Sequence, residues 1–214
     1  MSRAKTINCT ATTFNRFGGR ENYYSQRASR MSLIEKTSTF VGNYAPDFEL
    51  LGIDEQVHHL QRYLQRWRGV GVVFLCNDSP DVFRYVDRLK QLQAQFQNKG
   101  FTLVGINANY ACRYHEQSLK NMKDFAFETQ LNFPYLWDAT QDVAHSFGVQ
   151  KIPEAFLIDE MGILRYSGAI DDNAKEPEAV KVSYLQNAIA ALLAGEEIFP
   201  QSTEAVGSPL KWRN

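Results

Sequence analysis

The sequence predicts an α/β domain in which a four-stranded mixed sheet is flanked by helices. Three observations carry this expectation. Residues 71–75 and 101–106 are short, continuous apolar runs rich in β-branched and aromatic side chains, the pattern of strands buried on both faces. A helical periodicity lies between them, so the two runs form a strand–helix–strand unit whose strands join in parallel by a right-handed crossover. Downstream, Pro153 leads two further strand-like runs separated by a tight turn, which adds an antiparallel pair to the same sheet.

Each element has its own signal. Residues 42–50 form an extended lead-in in which Pro46 bars helix. Residues 57–66 are mixed and suit a short helix or a turn. After the first core strand comes Cys76-Asn77-Asp78-Ser79-Pro80, where Ser79 fits a helix N-cap and Pro80 the first helical position. Val82, Val86, Leu89, Leu92 and Phe96 then recur at steps of three and four along one helix face, and Gly100 closes that helix. Leu119, Met122, Phe125 and Ala126 mark a second helix, and Val143, Ala144 and Phe147 a short third. Residues 155–158 and 163–166 are the hairpin strands around the turn Asp159-Glu160-Met161-Gly162. A last helix carries Val182, Leu185, Ile189, Leu192 and Leu193 and ends at Gly195. The expected organisation is a basic, flexible extension over residues 1–39, a domain over residues 40–196 and an irregular tail over residues 197–214.

Composition narrows the function classes. The 214-residue chain has a formal net charge of −1, which gives no electrostatic argument for nucleic acid or a membrane surface. No apolar run approaches the roughly 18 residues needed to span a bilayer. Three cysteines, Cys9, Cys76 and Cys112, do not read as a disulfide framework, and no Cys/His cluster has zinc spacing, so neither metal nor cofactor is expected. No glycine-rich phosphate loop follows any strand. The first thirty residues carry six basic residues against Glu21 alone, with seven Ser or Thr. That composition suits a disordered tail, or a segment ahead of a true start at Met31, in a cytoplasmic protein, or else an organelle transit peptide.

Chemistry in such a sheet belongs at the carboxyl end of the first core strand. Cys76 stands there, before a helix start whose backbone N–H groups and dipole favour a thiolate. The competing reading is that of a small buried hydrophobe at a strand end.

These residues resemble the thioredoxin-like redoxins, the alkyl hydroperoxide reductase/thiol-specific antioxidant group, and within it a branch with a Cys-Asn-His-Cys-Pro motif. The matching stretches are Ala45-Pro46-Asp47-Phe48, Phe74-Leu75-Cys76-Asn77 with Pro80, Phe133-Pro134-Tyr135-Leu136-Trp137-Asp138, Ile152-Pro153 through Asp159, Asp171-Asp172 and Leu210-Lys211-Trp212-Arg213. The resemblance implies a thioredoxin fold, with Pro153 as its cis-proline and a substrate groove formed by Asn77, Asp78, Ser79, Pro80, Ile152 and Pro153. Departures from the pattern bear on the chemistry. Asp78 replaces the motif's His and Ser79 its second Cys. Lys151 stands where many relatives have Cys before the proline, and Ser208 where they have Cys near the C-terminus.

Ser79 cannot resolve a mixed disulfide, so the dithiol cycle within one motif is blocked. The Thr that precedes the peroxidatic Cys of peroxidases is absent, because residues 72–75 are apolar. Three readings remain. The first is a single-thiol redoxin acting as antioxidant or redox sensor through Cys76, served by an outside thiol reductant. The second is a redox-inactive scaffold whose groove binds a protein partner. The third is a dithiol oxidoreductase in which Cys112 resolves Cys76. Lys151 is the expected modulator that offsets Asp78 and restores thiolate character.

Overall fold

A computed structural model describes residues 40–109 and 115–213. Its elements are β1 (Glu49–Gly52), β2 (Val57–His59), α1 (Leu60–Leu64), β3 (Gly69–Phe74), α2 (Pro80–Phe96), β4 (Phe101–Asn107), α3 (His115–Glu128), β5 (Tyr135–Trp137), α4 (Asp142–Phe147), β6 (Lys151–Ile152), β7 (Glu154–Asp159), β8 (Leu164–Gly168), α5 (Tyr184–Ala194) and β9 (Ser208–Pro209). Cys9 and Cys112 lie outside the described residues, as do Met31 and the rest of the N-terminal segment.

The four strands expected from sequence are contiguous in the sheet, in the order β4-β3-β7-β8. Strands β3 and β4 run parallel, while β3–β7 and β7–β8 are antiparallel. Three short strands extend it past β4 to a seven-stranded order, β2-β1-β5-β4-β3-β7-β8. Every residue of β3 and β4 is buried, which is why both read as unbroken apolar runs rather than alternating ones. Strand β8, at the edge, alternates between buried Leu164, Tyr166 and Gly168 and the less buried Arg165 and Ser167. The three added strands have only three or four residues each, too short for a periodicity to register.

Helix α2 packs against β4, and α5 packs against β3, β7 and β8. The predicted α2 face, Val82, Val86, Leu89, Leu92 and Phe96, is the buried one, and Tyr85 is buried with it. A single 3-10 turn follows, and Gly100 ends it at φ 94°, a left-handed conformation that side-chain-bearing residues rarely adopt. Helix α5 starts only at Tyr184, so Val182 lies outside it and is 36 % exposed. Beneath the carboxyl end of β3, Phe74, Phe147 and Phe156 form an aromatic triangle with centroid separations of 5.5, 5.8 and 5.0 Å. This triangle fixes α4 against β3 and β7 below the site.

The stretch over residues 197–213 contains little regular structure, yet it is fastened along its length. Ile198, Ala205 and Leu210 are buried in the core, Thr203 N–H donates to the Ser167 carbonyl, and β9 pairs with β6. Tyr166 shares its hydroxyl between Thr203 Oγ1 at 2.7 Å and the Ala169 carbonyl at 2.6 Å.

Candidate functional site

The loop carrying Cys76 leaves β3 while still attached to the sheet, because Leu75 N–H donates to the Ile106 carbonyl at 2.8 Å. Asn77 is held from two neighbouring strands. Its Oδ1 accepts from Asn107 Nδ2 at 2.7 Å and from the Tyr135 hydroxyl at 3.4 Å. Helix α2 then begins at Pro80. Ser79 has the extended backbone of an N-cap, φ −96° and ψ 121°, but its side chain caps nothing. The Ser79 hydroxyl is buried and has no hydrogen-bond partner among the described residues. The expected side-chain cap is therefore not made; only the Ser79 carbonyl, accepting from Phe83 N–H at 3.2 Å, enters the helix ladder.

Cys76 is 2 % exposed. Burial dominates its ionisation and pushes the thiol above its ordinary value, with the Asp78 carboxylate adding to the rise. Opposing these are hydrogen bonds from the backbone N–H groups of Asp78 and Ser79 and the positive charge of Lys211. The expected cation, Lys151, is instead engaged elsewhere: its Nζ lies 2.7 Å from Glu204. Lys211 takes the role offered to Lys151 because the C-terminal segment crosses this end of the sheet.

The peptide between Ile152 and Pro153 is cis. Both residues are buried, and Ile152 pairs with Ser208 while Lys151 pairs with Pro209 in an antiparallel ladder. Ser208 Oγ donates to Asp81 Oδ2 at 2.8 Å, and the other Asp81 oxygen accepts from Arg84 at 2.7 Å. Asp81 thus ties the C-terminal segment to the first turn of α2. The structure brings together Cys76, Asn77, Asp78, Ser79, Pro80, Ile152 and Pro153 at one end of the sheet, and joins to them four residues that sequence reasoning did not single out. Asn107 and Tyr135 position Asn77, Gln141 fastens the C-terminal segment, and the charge of Lys211 acts to lower the thiol pKa. Only Tyr135 and Lys211 left a trace in the sequence, as members of matching stretches. Cys112, the possible resolving thiol, lies outside the described residues. Among the described residues no group of three or more His, Cys, Asp or Glu side chains could hold a metal.

Residues 41–167 match the family described as AhpC/TSA, and that span exceeds half of the chain. The chain belongs to the AhpC/TSA family. A curated relative, the thiol-disulfide oxidoreductase ResA of Geobacillus thermodenitrificans (strain NG80-2), is 31% identical over 128 residues, 60% of this chain and 68% of the relative. Two solved structures share the architecture more fully. A hypothetical protein of Sinorhizobium meliloti 1021 superposes with a TM-score of 0.75 at 28% identity, covering 83% of this chain and 97% of that one. An uncharacterized conserved protein from Geobacillus kaustophilus gives 0.74 at 30% identity, covering 83% and 94%. The thioredoxin-like redoxin fold of this chain is therefore shared along most of its length. No described helix is long and apolar enough to cross a membrane.

Proposed function

We propose that this AhpC/TSA-family chain is a thioredoxin-like redox protein that works through the single thiol of Cys76, in a redox-sensing or antioxidant role. The observation that carries the reading is the place of the free Cys76 thiol, at the carboxyl end of β3 shortly before the start of α2, on the end of the sheet that also holds the cis peptide of Ile152-Pro153. There the backbone N–H groups of Asp78 and Ser79 act to lower the thiol pKa, against the larger rise that burial causes. The relatives named as thiol-disulfide oxidoreductases support a role in thiol exchange.

With Ser79 in place of a second thiol, the chemistry is one exchange at a time. The Cys76 thiolate attacks one sulfur of a disulfide, forming the mixed disulfide and releasing the other sulfur as a thiolate. A second thiol, supplied by an outside low-molecular-weight or protein reductant, then attacks the mixed disulfide and regenerates Cys76. With a hydroperoxide, the thiol gives a sulfenic acid and the corresponding alcohol or water. The test is incubation of the full chain with oxidised glutathione, read by intact mass and peptide mapping. Glutathionylation at Cys76, absent in Cys76→Ser, with no insulin-disulfide reduction, is the expected result.

A second reading, a redox-inactive scaffold, is favoured by one observation: Cys76 is almost fully buried and its thiol is pushed up. Under that reading Cys76 stays unmodified in the glutathione experiment. Catalytic insulin reduction that Cys112→Ser abolishes would establish the dithiol reading instead.

A further inference from the structure

The backbone edge beside the cis peptide is already filled by the chain itself. Residues 207–213 run antiparallel past Ile152 and then across the end of the sheet. The approach at the start is so close that a Cβ on Gly207 would collide with the Ile152 carbonyl oxygen and come within 3.0 Å of Pro153 N. Downstream, residues 210–213 are each fastened to the body of the domain. Leu210 N–H donates to the Gln150 carbonyl at 3.0 Å, and its side chain is 5 % exposed. Lys211 N–H donates to Asn109 Oδ1 at 3.0 Å. The buried amide of Gln141 donates to the Lys211 carbonyl at 2.9 Å and accepts from Arg213 N–H at 2.7 Å. Trp212 rests on His145, centroids 4.9 Å apart. Gln141 is set for this by a left-handed backbone, φ 69°, and by its own bond to the Ala108 carbonyl.

We propose that residues 207–213 are an intramolecular ligand of an extended-peptide groove, a strap that must lift before a partner can reach Cys76, and whose sequence reports the segment the groove accepts. That partner segment is extended, with a glycine against Ile152, an apolar residue in the hollow filled by Leu210, and a basic then an aromatic residue after it. The strap is held mainly by hydrogen bonds and one buried side chain, so it can open locally while the sheet stays intact. The Cys76 chemistry invoked rests on the redox reading above, but access to the thiol can be measured whether or not the thiol performs exchange.

The experiment measures iodoacetamide labelling of Cys76 in the full chain by peptide mapping, which reads each cysteine separately, alongside hydrogen exchange of the 210–213 amides. In the unmodified protein, labelling at low urea should be insensitive to urea and should give the same opening equilibrium as those amides. Gln141→Ala, which removes two neutral hydrogen bonds to the strap, and Gly207→Ala, whose Cβ collides with the Ile152 carbonyl oxygen, should each raise the Cys76 rate on the order of tenfold or more. A synthetic peptide spanning residues 207–214, in excess, should slow labelling of the Gly207→Ala chain again, and the same peptide with Ala in its first position should not. Cys76 protection that follows global unfolding in urea overturns the strap, as does a Cys76 rate unchanged when the 210–213 amides lose protection. Failure of the peptide to protect overturns the groove's assignment. If labelling behaves as expected while oxidised glutathione leaves Cys76 untouched in the strap-lifted variants, the redox reading fails and the strap stands.

Discussion

Removing the Asp171 carboxylate should cost this domain a large part of its stability, because it joins α2 to the loop after β8. Asp171 is 4 % exposed at its side chain and accepts three hydrogen bonds: from Arg88 Nη1 at 2.6 Å, the Tyr85 hydroxyl at 3.1 Å and the Asn173 N–H at 3.0 Å. Arg88 is itself 14 % exposed and lies over the Tyr85 ring, its carbon 4.7 Å from the centroid. In Asp171→Ala the guanidinium keeps the Asn173 and Ala174 carbonyls but loses its counter-charge. Breaking a buried pair from one side costs about 3–5 kcal/mol. For a domain of this size each kcal/mol moves Tm by about 2–4 °C, so the expected drop is about 6–20 °C. The assay is urea unfolding followed by far-UV circular dichroism, with a thermal melt beside it. Arg88→Met combined with Asp171→Leu should recover most of the loss, since both charges leave together. A loss for Asp171→Ala below about 1 kcal/mol, the value of an exposed ion pair, would refute the reasoning.

Four further outcomes are expected. Phe147→Ala should destabilise the domain by about 3–5 kcal/mol through a cavity in the Phe74–Phe156 triangle, measurable by urea unfolding. Asp78→Asn should lower the Cys76 pKa by removing a carboxylate that opposes the thiolate, and Lys211→Ala should raise it; the pH dependence of the Cys76 alkylation rate reads both, and a shift of opposite sign in either contradicts the assignment. Stability should fall on the alkaline side. The Cys76, Tyr85 and Tyr135 pKa values are raised on folding and that of Tyr166 is pushed up to about 12, so the folded state binds more protons than the unfolded one. Their stabilisation is complete below the unfolded values of about 8.5 for Cys and about 10 for Tyr, and is lost as pH rises through the folded values; unfolding free energies measured from pH 8 to 11 should decline throughout. Ser79→Cys should create insulin-reductase activity, because residue 79 stands three positions after Cys76 as the N-cap of α2, the spacing of a Cys-x-x-Cys pair; an inactive variant whose two thiols never pair would contradict that placement.

Much of the centre of the fold was legible. Strands β3 and β4 are buried on both faces and so are largely apolar, and α2 must show one apolar face to the sheet. The short strands β1, β2 and β5 were not, since their three or four residues carry no measurable period and their pairing is decided by neighbours distant in the chain. Within the site, Cys76 and Pro153 stood out by position and Ser79 by what it replaces. The choice of Lys211 over Lys151 was illegible, because it depends on Glu204 drawing Lys151 away and on Gln141 holding the strap across the sheet.

The sequence by itself determined the four core strands and the helix between the first two, and the place of the thiol ahead of α2, because these follow from local pattern and residue type. Only the tertiary structure decided that Cys76 is covered, that Gln141 and Asp81 bind the C-terminal segment, and that this segment takes the backbone edge of Ile152. Those outcomes depend on contacts between residues 50 to 130 positions apart, and hydrogen bonds between such distant residues leave no spacing in the chain by which to read them.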